Sequence, residues 1–561
     1  MLFAADQLSS GPKWYEFHQT DPYILIPFFG YMAGVFLIAV IAHRYLKRSD
    51  FEAEYYVGGR NFGAWVLAMS WVATLASGGS FLGYPSLVYS YGWSMAFWVS
   101  GSTVTALVGL GIVGKRINRL ARQSGALTLV DLLRDRFKNN SLGVVYALVI
   151  VFVTSVYLIA QFVAGARILQ TMLGTTYETG LVLFTFSVVA YTTYGGFRAV
   201  AWTDTLQGIV MIVGIVLLVP FAVSAVGGLE KAMLRGDRPL AARPDPAAQI
   251  RGVKPQRHAY LYGPGPQKIP QNIERLIEER GEQPAAQQPL APLQPQPTST
   301  PDPQPWLPIG MGISMFMLRS LGAVMMPTTV PRMLAFKDTR ALRRALMLLA
   351  PYFLLLHGSS LISMNCAHSL NLGLAPYESD QVVPKLAAAV APKILSGLLV
   401  AAPYAAVMST VDSALLVISA SLVRDLLQKT WYPQLSVLAT KRLSYAITGG
   451  FGVLMLVIAL GKPPFLQPLV IYYIGGGASS LFWPSLATLY WKRATAAGVM
   501  AGLIGGAATF ILFDLFRPFA GLVELHPFVY GFAVSAGLTW LLSVSTARQS
   551  RERLELYFGR D

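Results

Sequence analysis

The residues best equipped for chemistry lie in one run, Ala402-Pro403-Tyr404-Ala405-Ala406-Val407-Met408-Ser409-Thr410-Val411-Asp412-Ser413-Ala414. Five of them, Tyr404, Ser409, Thr410, Asp412 and Ser413, carry side-chain oxygens, and one of these is a carboxylate. The run sits inside an apolar stretch of roughly 394–427, long enough to cross a bilayer. Oxygens in hydrocarbon are costly unless something polar meets them. Ala406, Ser409, Thr410 and Ser413 stand at offsets of three, four and seven, one face of a helix, with Asp412 beside it. Hydroxyls and backbone carbonyls are hard oxygen ligands that suit sodium. The competing reading has each hydroxyl bonding back to the carbonyl four residues earlier. That explains a serine or threonine, but not an intramembrane aspartate.

Three other places hold polar groups at membrane depth. In Ala73-Thr74-Leu75-Ala76-Ser77-Gly78-Gly79-Ser80, two glycines and two serines weaken a helix mid-membrane. Unwinding there would free carbonyls for a cation or substrate, with Ser77 and Gly78 as candidate substrate contacts. Close helix packing through small residues is the alternative. In Tyr191-Thr192-Thr193-Tyr194-Gly195-Gly196-Phe197-Arg198 a tight turn leads into the next span, where Asp204 and Gln207 share a helix face. Asp204 or Thr203 could instead cap a helix start. The third place is a pair of arginines. Arg167 lies toward the outer end of a span, after Gln161, and Arg319 lies well inside another. Intramembrane arginines face a cavity or an acid. One reading is an anionic substrate met by Gln161, Arg167 and Arg319. The others are a structural partner for Arg319, such as Asp412 or Asp204, and snorkelling of Arg167 to the surface.

These residues need elements to hold them, and hydropathy supplies about thirteen apolar spans. They run roughly 23–43, 63–90, 92–114, 141–168, 177–195, 202–227, 306–327, 344–368, 394–427, 442–460, 467–491, 494–516 and 525–545. Lipid leaves helices as the choice for such spans, so the expected fold is an all-α polytopic membrane protein. Composition agrees: 54% of the 561 residues are hydrophobic and only 13% charged, against about 25% in soluble proteins. The net charge of +16 needs no nucleic acid to explain it. Lys and Arg gather in short loops that fall on one side of a thirteen-span chain. They include Arg44, Lys47, Lys115, Arg116, Arg332, Arg340, Lys441, Lys492 and Arg548. The positive-inside rule makes that side cytoplasmic, with the N-terminus outside, the C-terminus inside and the cell's inner membrane as the location.

The chain divides into an outer segment at roughly 1–22, spans at 23–227, an outer loop at 228–305, spans at 306–545 and a cytoplasmic tail at 546–561. The loop is rich in Pro and Gln, cannot bury a core and reads as mostly disordered, with a short helix possible at 273–280. It separates two sets of five spans. Each set opens on a segment interrupted by small residues or proline, the Ser77–Ser80 run in one and Gly310, Gly312, Gly322 and Pro327 in the other. Paired interrupted first helices point to an inverted-repeat transporter. Enzyme chemistry is not expected. There is no GxxxxGK[ST] loop, the six histidines have no metal-ligand spacing, and no Ser/His/Asp set shares one depth. The single Cys366 excludes an intrachain disulfide.

The chain resembles the sodium/solute symporter family over nearly its whole length outside 228–305. The resemblance is carried by Tyr56-Val57-Gly58-Gly59-Arg60-Asn61-Phe62-Gly63, by Gly195-Gly196-Phe197-Arg198 with Trp202-Thr203-Asp204 and Gln207-Gly208, and by Ala406-Val407-Met408-Ser409-Thr410. Within the family it is most similar to sodium/pantothenate symporters, through Val66-Leu67-Ala68-Met69-Ser70, Gln161-Phe162-Val163-Ala164-Gly165-Ala166-Arg167, Tyr177-Glu178-Thr179-Gly180-Leu181, Ala401-Ala402-Pro403 and Lys462-Pro463-Pro464. Two features depart from that subgroup: Arg319 replaces an apolar residue, and the 228–305 loop is longer.

The resemblance implies a leucine-transporter-like core of five plus five helices with alternating access. It implies a sodium site made by the carbonyls of Ala73, Ala76 and Ala406 with the hydroxyls of Ser409 and Thr410. A second sodium, near Asp204, Ser409, Asp412 and Ser413, is the further implication. The expected function is sodium-coupled import of a small organic anion, pantothenate first. A short monocarboxylate or a proline-like amino acid is the alternative, and a membrane sensor on the same scaffold the more distant one. Sodium, the solute and the lipid bilayer are the expected partners.

Overall fold

The structure is a computed structural model that describes residues 22–46, 50–236, 309–370, 372, 381–461, 466–516 and 525–558. The outer segment before Pro22 and the loop beyond Gly236, with its candidate helix at 273–280, lie outside the described residues. The first residues assigned to that loop form a short helix, Leu229–Gly236.

Helix dominates, as lipid requires. Among the described residues the one extended pairing is a single parallel bridge between Phe62 and Phe336. Among the described residues nine helices are long and apolar enough to cross a membrane, and ten if one bent pair counts as a span. The Tyr177–Val226 helix contains 50 residues and covers two expected spans. A straight helix of that length would reach about 75 Å, more than twice the ~30 Å hydrocarbon core. It turns at Gly196, where φ is 62° and ψ −171°. Two more expected spans are built from shorter pieces. One is Ile309–Met317, a π-type turn at Leu318–Gly322, and Val330–Ala335. The other is Leu466–Gly477 with Trp483–Tyr490.

Both interrupted first helices are broken where their small residues fall. Ala64–Leu75 and Gly79–Tyr89 meet at 62°. At their basic ends the two broken helices touch: Phe62 N–H donates to Ala335 O at 3.2 Å, and Lys337 N–H to Phe62 O at 3.0 Å. The start of one therefore meets the end of the other, so they run in opposite directions, as inverted repeats must. The Lys393–Trp431 helix stands at the centre. Its apolar window is 89% buried, against 28–50% for the other spanning candidates.

The loops assigned to one side do meet at one end. Arg424 bonds Asp131 Oδ2 at 2.8 Å and also Glu52, and Arg198 bonds Glu54 Oε2 at 2.7 Å. Arg122 reaches the carbonyls of Arg60 and Phe336, both at 2.9 Å. The tail is not free, because Arg551–Phe558 is helical and buried Tyr557 accepts from Arg116 through its carbonyl at 2.9 Å.

Gly196 carries this packing with no room for a side chain. A Cβ would lie 2.8 Å from Tyr55 Cδ2, at a φ that L-residues rarely adopt. Gly196→Ala is expected to cost about 1–3 kcal/mol, read as a lower unfolding temperature of the purified protein in detergent. An unchanged temperature would show that the turn is relaxed.

Candidate ion and substrate site

The break in the first half begins with backbone chemistry. Ala64–Leu75 ends when Ala76 leaves helical geometry at φ −83°, ψ 68°. Ser77 O then accepts from the N–H groups of Ser80 at 2.8 Å and Phe81 at 3.1 Å, which restarts the chain in a new direction. Gly78 is glycine because space demands it. A Cβ would sit 2.8 Å from Gln161 Oε1 and 3.2 Å from Val407 Cγ2. Gly78 N–H donates to Gln161 Oε1 at 2.9 Å, so Gln161 holds the break, and its Nε2 has no partner.

Opposite the break runs the central helix. Ser409 Oγ lies 2.8 Å from Ala73 O and 3.0 Å from Ala406 O, while Thr410 Oγ1 lies 2.9 Å from Ala406 O. Four of the five groups assigned to the first ion site thus gather, and buried Ala76 borders them at the break. Back-bonding is realised here too: Thr410 and Ser413 each donate to the carbonyl four residues earlier. It explains only part of Ser409, whose hydroxyl bonds back to Ala406 O and also bridges to Ala73 O in the other half of the molecule. Neutral oxygens in a dry setting, two of them on rotatable hydroxyls, fit sodium by donor type.

Beneath this cage lies a charged cluster. Asp204 and Asp412 are fully buried. Asp204 Oδ2 accepts from Ser70 Oγ at 2.6 Å and from Arg332 at 2.8 Å. Arg332 also donates to Ser70 Oγ at 3.0 Å, Ser413 Oγ at 2.7 Å and Thr328 O at 2.9 Å. Asp412 Oδ2 accepts from Tyr191 at 2.7 Å, and its Oδ1 lies 3.2 Å from Ser413 Oγ. Arg332 pairs with Asp204 and reaches Asp412 only through Ser413, and Asp204 Oδ1 has no partner among the described residues.

Arg319 pairs with neither acid. It is buried on the π-type turn and donates to Ser102 Oγ at 2.8 Å and Ser80 Oγ at 3.3 Å. Arg167 stands apart. It is half-buried, six residues beyond Gln161, and its charge lies near Tyr177.

A model of the sodium:solute symporter family matches residues 55–261 and 285–506, well over half the chain. The chain belongs to that family. It is 30% identical to the sodium/pantothenate symporter of Haemophilus influenzae over 494 residues, covering 87% of this chain and 90% of the relative. It is 28% identical to the high-affinity proline transporter of Bacillus subtilis over 511 residues, covering 90% and 95%. Its fold matches the outward-open, substrate-bound Na+-coupled sialic acid symporter with a TM-score of 0.69 at 18% identity, over 94% of this chain and 99% of that one. The core is leucine-transporter-like. The chain is a multi-pass membrane symporter that couples a small solute to sodium, and it is not an enzyme.

Sequence reasoning missed Arg332. It was counted among the basic loop residues, yet it is 1% exposed and is the partner of Asp204 that was sought in Arg319. The signal available was charge balance, because two acids at membrane depth require a cation. Thr203 does not cap a helix start either, since it bonds back to Ala199 O at 3.0 Å.

Removing Arg332 would leave Asp204 buried without its counter-charge. Arg332→Ala is expected to cost about 3–5 kcal/mol, because an unpaired buried charge keeps its desolvation penalty. Adding Asp204→Asn should restore most of the loss, read as unfolding temperature in detergent. No recovery in the double variant would show that the pair is not the reason.

Proposed function

We propose that this symporter imports a small organic anion, pantothenate first, across the cell's inner membrane, with the N-terminus outside and the C-terminus in the cytoplasm. The observation that carries the reading is the oxygen cage between the broken helix and the central helix, beside the buried cation Arg319. The similarity to sodium/pantothenate symporters supports the substrate, and the single basic end supports the orientation.

Sodium would be held by the carbonyls of Ala73, Ala76 and Ala406 and the hydroxyls of Ser409 and Thr410. Ser409 and Thr410 would then turn their hydrogens away from those carbonyls and offer lone pairs instead. The ion fixes the break against the central helix, which orders Ser77 and Gly78 to receive the solute, with Gln161 and Arg319 as further contacts and Arg167 toward the outer entrance. Each inward sodium charge contributes about 2.3 kcal/mol per 100 mV of membrane potential. By differential affinity it favours the state that binds it.

A second ion belongs near Asp204, Ser409, Asp412 and Ser413. Arg332 already pairs with Asp204 there, while Asp412 is met by the hydroxyls of Tyr191 and Ser413. The bare Asp204 Oδ1 supports the same reading. Proline is the second substrate reading, favoured by the likeness to the proline transporter, and it too presents a carboxylate.

Reconstituted protein tests both ion positions. Ser409→Ala should raise the sodium concentration for half-maximal pantothenate uptake by about 10-fold or more, the equivalent of 1.4 kcal/mol of lost ligation. Asp412→Asn should lower the number of sodium ions carried per solute. Sodium dependence unaltered by Ser409→Ala would sink the cage, and an unaltered coupling ratio in Asp412→Asn would make that acid structural.

A further inference from the structure

Two other buried arginines are fully engaged. Arg332 has Asp204, two hydroxyls and a carbonyl. Arg136 donates to the carbonyls of Ala487 at 2.9 Å and Trp491 at 2.6 Å, and to that of Thr488. Arg319 is buried at 9% exposure but has only two hydroxyl partners, on Ser102 and Ser80. Among the described residues one of its terminal nitrogens has no hydrogen-bond partner and no carboxylate pairs with it. A guanidinium left in this condition at membrane depth is costly, and an acid carried by the solute would meet it.

Its setting is rigid. Thr105 Oγ1 bonds the carbonyls of Arg319 and, at 3.2 Å, Ser320, which the π-type turn leaves open. Gly101 lets the Met95–Ala106 helix approach so closely that a Cβ would lie 2.9 Å from Phe316 O. The groups around it point the same way. His357 lies within electrostatic range of Arg319. Its ring meets Tyr84 edge-on at 5.6 Å, and Tyr84 meets Trp98 at 6.3 Å. Tyr84 Oη, Trp98 Nε1 and both His357 nitrogens are buried with no partner among the described residues. Trp98 can only donate, and Tyr84 and His357 can both donate. One uncompensated cation and three rings with unused hydrogens match a solute rich in acceptors.

We propose that Arg319 is the residue that makes this symporter select anions: the solute's carboxylate sits on Arg319 between Ser80 and Ser102, and its uncharged hydrogen-bonding body is read by Tyr84, Trp98, His357 and Gln161. The assignment rests on the anion-import reading above and narrows it to one residue among three. It also links solute to ion. Ser80 Oγ accepts from Arg319 and lies 3.3 Å from Leu75 O, on the stretch between the Ala73 and Ala76 carbonyls. A carboxylate that draws Arg319 away from Ser80 therefore acts on the segment that lines the sodium cage.

The test uses full-length protein in proteoliposomes with an inward sodium gradient. Three pairs are compared: pantothenate with pantothenol, propionate with propionamide, and proline with prolinamide. The acid taken up fastest is the labelled probe, and its neutralised partner is the competitor. Wild type should prefer the acid by about 100-fold, the discrimination a buried charge-assisted pair supports. Arg319→Gln should lose most of that preference while keeping a sodium-induced rise in unfolding temperature. Arg319→Lys should keep the preference at about 10-fold weaker half-saturation, because a point charge replaces a fork. An acid preference that survives Arg319→Gln overturns the proposal and leaves sodium-driven anion import standing. Wild type that carries none of the three acids overturns anion import and this assignment together. If Arg319→Gln shows no sodium-induced shift, Ser102→Ala and Arg319→Lys decide: unchanged half-saturation for the acid in both overturns the proposal.

Discussion

The contact on which the rest of the molecule depends is small. A hydroxyl on the central helix, Ser409 Oγ, lies 2.8 Å from a backbone carbonyl, Ala73 O, in the other half of the protein. At membrane depth a backbone carbonyl freed from its helix has no water to meet, so the helix can break only where something else satisfies it. The glycines and serines of 77–80 make the break sterically cheap. Gln161 satisfies the Gly78 N–H, and Ser409 reaches Ala73. The break is therefore held by the same groups that would hold an ion, which makes one local equilibrium report on both.

The buried arginines show three solutions to one electrostatic problem. Arg136 spreads its charge over backbone carbonyls that terminate a helix, including Trp491 O at 2.6 Å, and it joins structural elements. Arg332 answers a permanent acid, Asp204, and stacks over Phe197 at 5.1 Å, so it closes a charge balance. Arg319 bonds, among the described residues, to hydroxyls alone. Cost decides what each can mean. A guanidinium repaid by carbonyls or an acid stabilises the resting fold. One that is not repaid fits the proposed partner that comes and goes.

Much of this was legible in the sequence because bilayer physics is written in long periods. Apolar runs gave the helices, and glycine, serine and proline at matching places in two halves gave the broken pair. The offsets of Ser409, Thr410 and Ser413 gave the face that meets Ala73. The tertiary partner of each charge was less legible. Arg332 lies five residues before Lys337, at a span's end, where hydropathy cannot say whether a long side chain turns into the bundle or out to water. The turn at Gly196 was visible as a Gly-Gly pair, but not that Tyr55 packs against it. Nor did composition show that the tail docks. Tyr557 Oη lies 2.6 Å from Asp135 Oδ2, a pairing across most of the chain's length.

The division of labour between charge and neutral oxygen follows from what a symporter must do. The cage at Ala73, Ala406, Ser409 and Thr410 contains no carboxylate, although two lie one turn or less away along the central helix and across at Asp204. A carboxylate in the cage would bind the ion strongly in a low dielectric and resist its release. Neutral carbonyls and hydroxyls would bind the proposed ion weakly enough for it to leave, and would discriminate by size and ligand number. Asp204 and Asp412 lie next to the cage rather than in it, linked through Arg332 and Ser413, so the proposed first ion would meet no formal charge by direct ligation. Ion affinity can then be tuned by moving one hydroxyl or one ion pair, as a transporter that must bind on one side and release on the other requires.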